Sequence, residues 1–273
     1  MKQEWLFQQF SQYPKDYCKT KYPVVLLHGL NFGDHRPLDY WGDVPNVLRC
    51  LGGRVYFGGQ DACGSIWDNA NQIAVRIRQI QRAERIEKVN LIAHSKGGLE
   101  ARYLASGCGM GQDIASIITI STPHHGCKTL TGNFAARIFS PLVVLGENRY
   151  GRILGDQYPD FREAAGCMSW ERAQQFNRRY PDVPGILYQS WGAELSRSRE
   201  DPLMALFYRV FYGLDGETDG FVSPQSSQWG EYRGTLFKIS HQHLTGFRRR
   251  PGKYFDPCRF YVELVHELGK RGL

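Results

Sequence analysis

The sequence predicts an α/β fold with a mostly parallel central sheet and helices on both of its faces. Short apolar runs rich in β-branched residues, such as residues 22–28 (YPVVLLH), are typical of strands buried on both faces. Segments with apolar residues at helical spacing separate these runs, as expected where helices connect parallel strands. No linker, charge block or repeat interrupts the 273 residues, so we expect a single domain over residues 1–273.

The first half of the chain alternates regularly between strands and helices. The second helix has Ser65 or Asp68 available as its N-cap, with Ile73, Ile77 and Ile80 following at helical spacing. In chain order the predicted elements are a strand at 22–28, a helix at 46–51, a strand at 54–58, a helix from 65, a strand at 88–94, a helix at 97–105 and a strand at 115–122.

After Pro123 this regularity weakens. Strands are predicted at 185–191 and 234–240, and an amphipathic helix at 258–270. The segments at about 127–182 and 194–218 are therefore predicted insertions above the sheet. They contain apolar stretches at 129–145 and 202–212, which predict either a cap above the sheet or ordinary core helices.

The segment Ala93-His94-Ser95-Lys96-Gly97 fits the G-x-S-x-G pattern of a nucleophile elbow, with alanine at the first glycine position. In that motif a serine occupies a strained turn between a strand and a helix, where large flanking side chains would collide. The predicted strand before Ser95 and the predicted helix after it supply this context. The pattern alone leaves open a purely structural serine.

A serine nucleophile also needs backbone N–H groups that stabilise a tetrahedral oxyanion. Lys96 follows the serine and would donate its backbone N–H, and we expect its side chain to be incidental. The loop HGL after the first strand offers Leu30 as the second donor. We expect His28 to hold this loop by hydrogen bonds and to do no acid–base chemistry.

The acid and base of such a site should follow Ser95 in the order Asp/Glu, then His. His124 and His125 precede every acid in a late loop and are better placed beside the elbow, and His266 lies in the last helix. This leaves His241 or His243 as the base. The acid candidates are Asp215, Glu217 and Asp219, of which Asp215 looks like the tip of an insertion.

With these pieces located, the sequence resembles the bacterial family I true lipases and related α/β-hydrolase esterases. The matching segments, in the family's order, are YPVVLLHGL, YWG, VNLIAHSKGG, ITISTPHHG, FNRRYP, YQSW, TDGFVS and FDPCRFYVEL. The resemblance implies the α/β-hydrolase fold, with Asp219 of TDGFVS as the triad acid and His241, which fits the family's histidine motif better than His243, as the base. It also implies a lid or acyl-binding wall in the insertions.

By this resemblance the chain is expected to be a serine hydrolase that cleaves acylglycerol or other fatty-acyl esters through an acyl-enzyme. In the family, the acidic residue two positions after the histidine often binds a structural calcium. Here that position is His243, so we expect no calcium. The zinc-binding insertion of some relatives is also missing, since no histidine lies between His35 and His94. We therefore expect neither a metal nor a cofactor.

Composition narrows the range of partners. The net charge of +7 comes from scattered residues, and the densest cluster, at 248–250, is typical of a solvated loop, so we expect no nucleic-acid binding. The seven cysteines form no CxxC pair, which argues against structural zinc and a dense disulfide framework.

No apolar run reaches the ~18 residues that a membrane span needs. Without a signal-peptide core at the start, a cytoplasmic location is expected, and secretion is the alternative if a signal was removed.

The expected partner is a small ester or lipid substrate, with transient contact to a lipid interface. Two alternatives remain open from the sequence. One is a carboxylesterase or thioesterase that acts on soluble, short acyl substrates. The other is a catalytically silent hydrolase fold that serves as a binding protein, although the complete set of Ser95, Asp219 and His241 argues against it.

Overall fold

The computed structural model describes residues 8–31, 34, 39–131, 140–247 and 255–273. Its centre is a six-stranded sheet with the order β2-β1-β3-β4-β5-β6, in which all neighbouring strands are parallel. The predicted parallel sheet is therefore confirmed. The strands are β1 (Val24–Leu27), β2 (Val55–Phe57), β3 (Val89–His94), β4 (Ile114–Ile120), β5 (Leu187–Glu194) and β6 (Glu231–Phe237).

Eight α-helices accompany the strands in the described part of the chain. They are α1 (Val44–Cys50), α2 (Ile66–Glu84), α3 (Lys96–Ser106), α4 (Pro141–Leu154), α5 (Phe161–Gly166), α6 (Trp170–Arg179), α7 (Ala205–Asp215) and α8 (Pro257–Lys270). The side chain of Ser65 accepts a hydrogen bond from the N–H of Asp68, so Ser65 is the N-cap of α2. None of the described helices combines the length and apolarity that crossing a membrane requires.

Two apolar cores lie on opposite faces of the sheet. In β1 the side chains alternate, so that Val24 and Leu26 join one core while Val25 and Leu27 join the other. Helices α1 and α8 cover the first core, and α2 and α3 cover the second. Each buried aliphatic side chain contributes about 1.5–3 kcal/mol. This double coverage explains why the strand sequences are almost wholly apolar.

The predicted insertions contain four of these helices. Helices α4, α5 and α6 lie between β4 and β5, and α7 lies between β5 and β6. Asp215, the last residue of α7, accepts hydrogen bonds from the backbone N–H groups of Lys128 and Thr129, at 2.7 and 2.9 Å. The end of the second insertion is therefore attached to the start of the first.

The position of β6 differs from the expectation. The sequence predicts this strand at 234–240, whereas it spans Glu231–Phe237 and Ser240 lies in the loop beyond it. Among the described strands it is an edge strand paired with β5 alone, so polar residues at its start stay partly exposed. Glu231 makes ion pairs with Arg233 and Arg271. The charged start of the strand therefore gave no apolar pattern to detect.

Candidate active site

Ser95 occupies a sharp turn between β3 and α3. Its backbone has φ 56° and ψ −130°, a conformation that L-residues rarely adopt. The two residues after Lys96 must be small, because a Cβ on Gly97 would lie 2.6 Å from the carbonyl oxygen of His28, and one on Gly98 would lie 2.2 Å from Oγ1 of Thr122. The sequence thus folds into the strained elbow that the motif requires.

The loop after β1 passes directly over this elbow. A Cβ on Gly29 would lie 2.9 Å from Cβ of Ser95, so only glycine permits the approach. Leu30 follows Gly29 and lines the same cavity as Ser95. Lys96 is the first residue of α3, where backbone N–H groups have no acceptor within the helix. The two predicted donor residues therefore flank the nucleophile candidate.

Asp219 is completely buried, and its carboxylate accepts four hydrogen bonds. Oδ1 accepts from the backbone N–H groups of Phe221 and Val222, at 2.9 and 2.8 Å. Oδ2 accepts from Nδ1 of His241, at 2.7 Å, and from the hydroxyl of Ser121. These four donors fix the plane of the carboxylate and its direction towards His241.

His241 begins a short 3₁₀ turn in the loop after β6. Its backbone N–H donates to the carbonyl oxygen of Asp219, at 3.0 Å, in addition to the side-chain contact. With Nδ1 on Asp219, Nε2 is the nitrogen left for chemistry. In the described part of the structure, Oγ of Ser95 and the ring of His241 line the same cavity but form no hydrogen bond with each other. Such bonds are often long in ligand-free sites.

The other candidate acids and bases make different contacts. Nδ1 of His243 is 2.8 Å from Oγ of Ser240 and 3.6 Å from Oδ2 of Asp201. Asp215 holds the two backbone N–H groups described above. The structure thus brings Ser95, Asp219 and His241 together and places His243 and Asp215 elsewhere.

A cavity of about 650 Å³ opens above Ser95 and His241. Most of its wall is apolar, and both predicted insertions contribute to it. The first supplies Leu130, Val143 and Phe161, and the second supplies Phe207 and Phe211. This wall provides an apolar surface next to the nucleophile candidate.

Comparison with known proteins decides the family. A sequence model described as palmitoyl protein thioesterase matches residues 23–158. A triacylglycerol lipase of Pseudarthrobacter phenanthrenivorans is 39% identical over 322 aligned positions, which cover 94% of this chain and 99% of that relative. This chain belongs to the lipase family of α/β-hydrolases.

More distant comparisons agree with this membership. Triacylglycerol lipase 2 of Saccharomyces cerevisiae is 26% identical, with 97% of this chain and 81% of the relative covered. The crystal structure of Staphylococcus hyicus lipase superimposes with a TM-score of 0.69 at 18% identity, covering 95% of this chain and 99% of that one. The predicted α/β-hydrolase fold is confirmed, and this lipase-family chain is a carboxylic ester hydrolase.

Three histidines of this enzyme outside the site have structural contacts. The two ring nitrogens of His28 lie 2.8 and 3.0 Å from the carbonyl oxygens of Gly29 and Gln60, so the ring can donate to this loop. His124 contacts Oγ1 of Thr119 at 2.9 Å and stacks on a tryptophan ring. His266 stacks on Tyr17 at 3.6 Å. Of the TPHH segment, it is Thr122 that touches the elbow, since its hydroxyl donates to the carbonyl oxygen of Ser95.

Sequence reasoning did not find the partner of His94. Its Nδ1 is 2.5 Å from the hydroxyl of Tyr40, and its ring centroid is 4.4 Å from that of His241. Burial and the neighbouring His241 hold the pKa of His94 well below 6.5, and burial raises the pKa of Tyr40. Both side chains therefore stay neutral beside His241. Tyr40 and His94 are far apart in sequence, so no local pattern links them. The match of the YWG segment to the family was the only sign that Tyr40 has a role.

The side chain of Lys96, which we expected to be incidental to the oxyanion hole, has a buried partner. Its ammonium group forms an ion pair with Glu100, and both side chains are completely buried. The physical reason is that α3 packs against the sheet and α2, so the side chain after the nucleophile has no route to solvent. A lysine four residues before a glutamate on one helix was the available signal.

Proposed function

We propose that this enzyme hydrolyses fatty-acyl esters, with acylglycerols as its main substrate class, through a Ser95 acyl-enzyme. The observation that carries the proposal is the 2.7 Å hydrogen bond between Asp219 and His241 beside the cavity that contains Ser95. The order of the three residues in the chain, with Ser95 directly after β3 and His241 in the loop after β6, fits the serine hydrolase arrangement.

In the first half of the reaction, Oγ of Ser95 attacks the carbonyl carbon and passes its proton to Nε2 of His241. The negative charge that develops on the carbonyl oxygen is stabilised by the backbone N–H groups of Leu30 and Lys96. When the tetrahedral intermediate collapses, the bond to the alcohol breaks and His241 gives its proton to the leaving oxygen.

In the second half, water replaces the alcohol. His241 takes a proton from the water while the water oxygen attacks the acyl-enzyme carbonyl. As the fatty acid leaves, His241 returns the proton to Oγ of Ser95. Asp219 keeps Nδ1 of His241 protonated and stabilises the imidazolium that forms in each half. Its four hydrogen bonds hold it in place for this purpose.

The cavity supports this substrate class. Its volume of about 650 Å³ and its apolar walls suit an acyl chain. In this proposal the two insertions form the acyl-binding cap. The relatives named triacylglycerol lipase support acylglycerols as substrates.

Transient contact with a lipid surface is part of the proposal. Large apolar side chains around the cap are exposed to solvent, among them Leu142 and Ile153 of α4 and Leu206 of α7. Exposed apolar surface of this kind suits the acyl region of an interface. We expect turnover of an ester to rise when its concentration passes the point at which it forms micelles.

The second candidate function is thioester hydrolysis. It is favoured by the match of residues 23–158 to the palmitoyl protein thioesterase family. Acyl thioesters present the same chain and the same carbonyl to Ser95, and differ in the leaving group.

One series of substrates tests these proposals together. We expect rates on p-nitrophenyl esters to peak at long chains, and tributyrin and triolein to be hydrolysed. A steep fall beyond butyrate would instead support a short-chain esterase. Faster turnover of palmitoyl thioester than of palmitoyl ester would support the thioesterase. Ser95→Ala should abolish all of these activities in a folded protein, and retained turnover would overturn the mechanism.

A further inference from the structure

The ion pair between Lys96 and Glu100 takes no part in the mechanism above. Both side chains are completely buried, and Nζ of Lys96 also donates to the carbonyl oxygen of Gly64 at 3.0 Å. Removing two charges from water costs more than their attraction returns unless further hydrogen bonds satisfy them. The contacts of this pair therefore indicate what it holds in place.

Glu100 connects α3 to α2 and to the loop before α2. Its Oε1 also accepts from Nδ2 of Asn69, at 2.7 Å, and its Oε2 from Nε2 of Gln60, at 3.4 Å. Asn69 donates in addition to the carbonyl oxygen of Asp61, at 2.8 Å. The segment 60–64, here named the bridging loop, is thus attached to the ion pair at Gln60, Asp61 and Gly64.

The bridging loop in turn holds both sides of Leu30. On one side, the imidazole of His28 and the amide of Gln60 each hydrogen-bond the other residue's carbonyl oxygen, at 3.0 and 3.3 Å. On the other side, the backbone N–H of Asn31 donates to the carbonyl oxygen of Ala62, at 3.0 Å. The residues before and after Leu30 are therefore fixed to one short loop.

We propose that the Lys96–Glu100 pair sets the distance between the two oxyanion donors. Lys96 supplies one donor through its own backbone, and its side chain reaches through Glu100 and the bridging loop to the flanks of Leu30, which supplies the other. The two residues are positioning residues for the oxyanion hole. This inference rests on the proposed function, which assigns Leu30 and Lys96 as donors.

Lys96→Met is the direct test, because methionine keeps most of the volume and removes the charge. Loss of one complete oxyanion donor costs about 10²–10³ in kcat, so a displaced donor should cost about 10–100-fold with KM little changed. Inhibition by a trifluoromethyl ketone, whose adduct with Ser95 carries an oxyanion, should weaken in parallel. Glu100→Gln should shift both quantities in the same direction.

Arg102→Met is the matched control. Arg102 is a second buried cation on α3, but its guanidinium contacts Asn177 at 2.8 Å and lies 3.5 Å from the ring of Trp229, away from the bridging loop. This variant should have a lower midpoint of thermal unfolding. Its kcat, expressed per titrated active site, and its inhibition by the ketone should stay within about twofold of the parent values.

If Lys96→Met and Glu100→Gln fold and match Arg102→Met in kcat and ketone inhibition, the pair is structural only and the proposal is overturned. If neither folds, Gln60→Met carries the test, because it removes the side-chain hydrogen bonds to the carbonyl oxygen of His28 and to Glu100 and keeps both members of the ion pair. Unchanged kcat and ketone inhibition in that variant would overturn the proposal as well. A parent protein that a fluorophosphonate does not label at Ser95 would overturn the proposed function, a result visible before any variant is made.

Discussion

The hydroxyl of Ser121 donates a hydrogen bond to Oδ2 of Asp219, the same carboxylate oxygen that accepts from Nδ1 of His241. Ser121 is the first residue after β4, and its φ of 48° lies in the left-handed region. A side chain that competes with His241 for one oxygen also fixes that oxygen in space. The position of the acid therefore depends on a residue outside the proposed triad.

Ser121→Gly tests this dependence without adding backbone strain. A hydrogen bond to a charged group contributes about 1.5–3 kcal/mol, and we expect part of this to appear as a kcat lower by about 3–30-fold with KM unchanged. Ser121→Ala should lose the same activity and, because alanine resists positive φ, about 1 kcal/mol more stability. Steady-state kinetics and thermal unfolding separate the two effects. Wild-type kcat in both variants would exclude a positioning role for Ser121.

The stability of the enzyme should fall as the pH drops below about 6.5. Burial holds the pKa values of His94 and His124 well below 6.5, with His241 and Arg102 acting in the same direction. In the unfolded chain both histidines regain an ordinary pKa, so the unfolded state binds more protons at acidic pH and the free energy of unfolding decreases.

Thermal midpoints measured from pH 8 to 5 check this expectation. We expect a nearly constant midpoint above about pH 7 and a progressive fall below 6.5. His124→Gln should reduce the slope in the acidic range, because one of the two buried groups no longer titrates. A slope that is equal in the two proteins would show that His124 does not contribute.

The cap should set the acyl chain length. Val143 of α4 lines the cavity, whereas its neighbour Leu142 is 83% exposed and does not. We expect Val143→Trp to lower kcat/KM on palmitate esters by about tenfold, with butyrate esters little affected, because filling the cavity removes space for the distal methylenes.

Leu142→Trp is the control on the same helix. It adds the same side chain outside the cavity, so the ratio of palmitate to butyrate rates should stay at the parent value. Equal ratios in both variants would mean that the acyl chain does not lie along α4.

Some of this fold could be predicted directly from residue type. Strands β1 and β3 are covered by helices on both faces, and that environment selects the apolar, β-branched runs that identify them. The predicted range of β6 began three residues too late, because an edge strand tolerates charged residues such as Glu231 and Arg233. The ion pair between these two residues lies at the surface. The local pattern of apolar residues therefore predicts central strands better than edge strands.

The same division applies to the site. The candidates Ser95, Asp219 and His241 follow from a short motif, the chain order and the family resemblance, all of which can be read along the sequence. The partners of Glu100 and His94 could not be predicted in this way. Their environment is assembled from Asn69, Gln60 and Tyr40, which the fold brings together from separate loops and helices.

The most direct test of the account is the site at which a fluorophosphonate attaches. Peptide mass spectrometry should find a single adduct on Ser95 of the parent enzyme. The labelling rate should fall by at least about 10⁴-fold in His241→Asn and stay near the parent value in His243→Asn, since His241 contacts Asp219 whereas Nδ1 of His243 contacts Ser240 and Asp201. An adduct on another residue, or a greater loss in His243→Asn than in His241→Asn, would contradict the proposed triad.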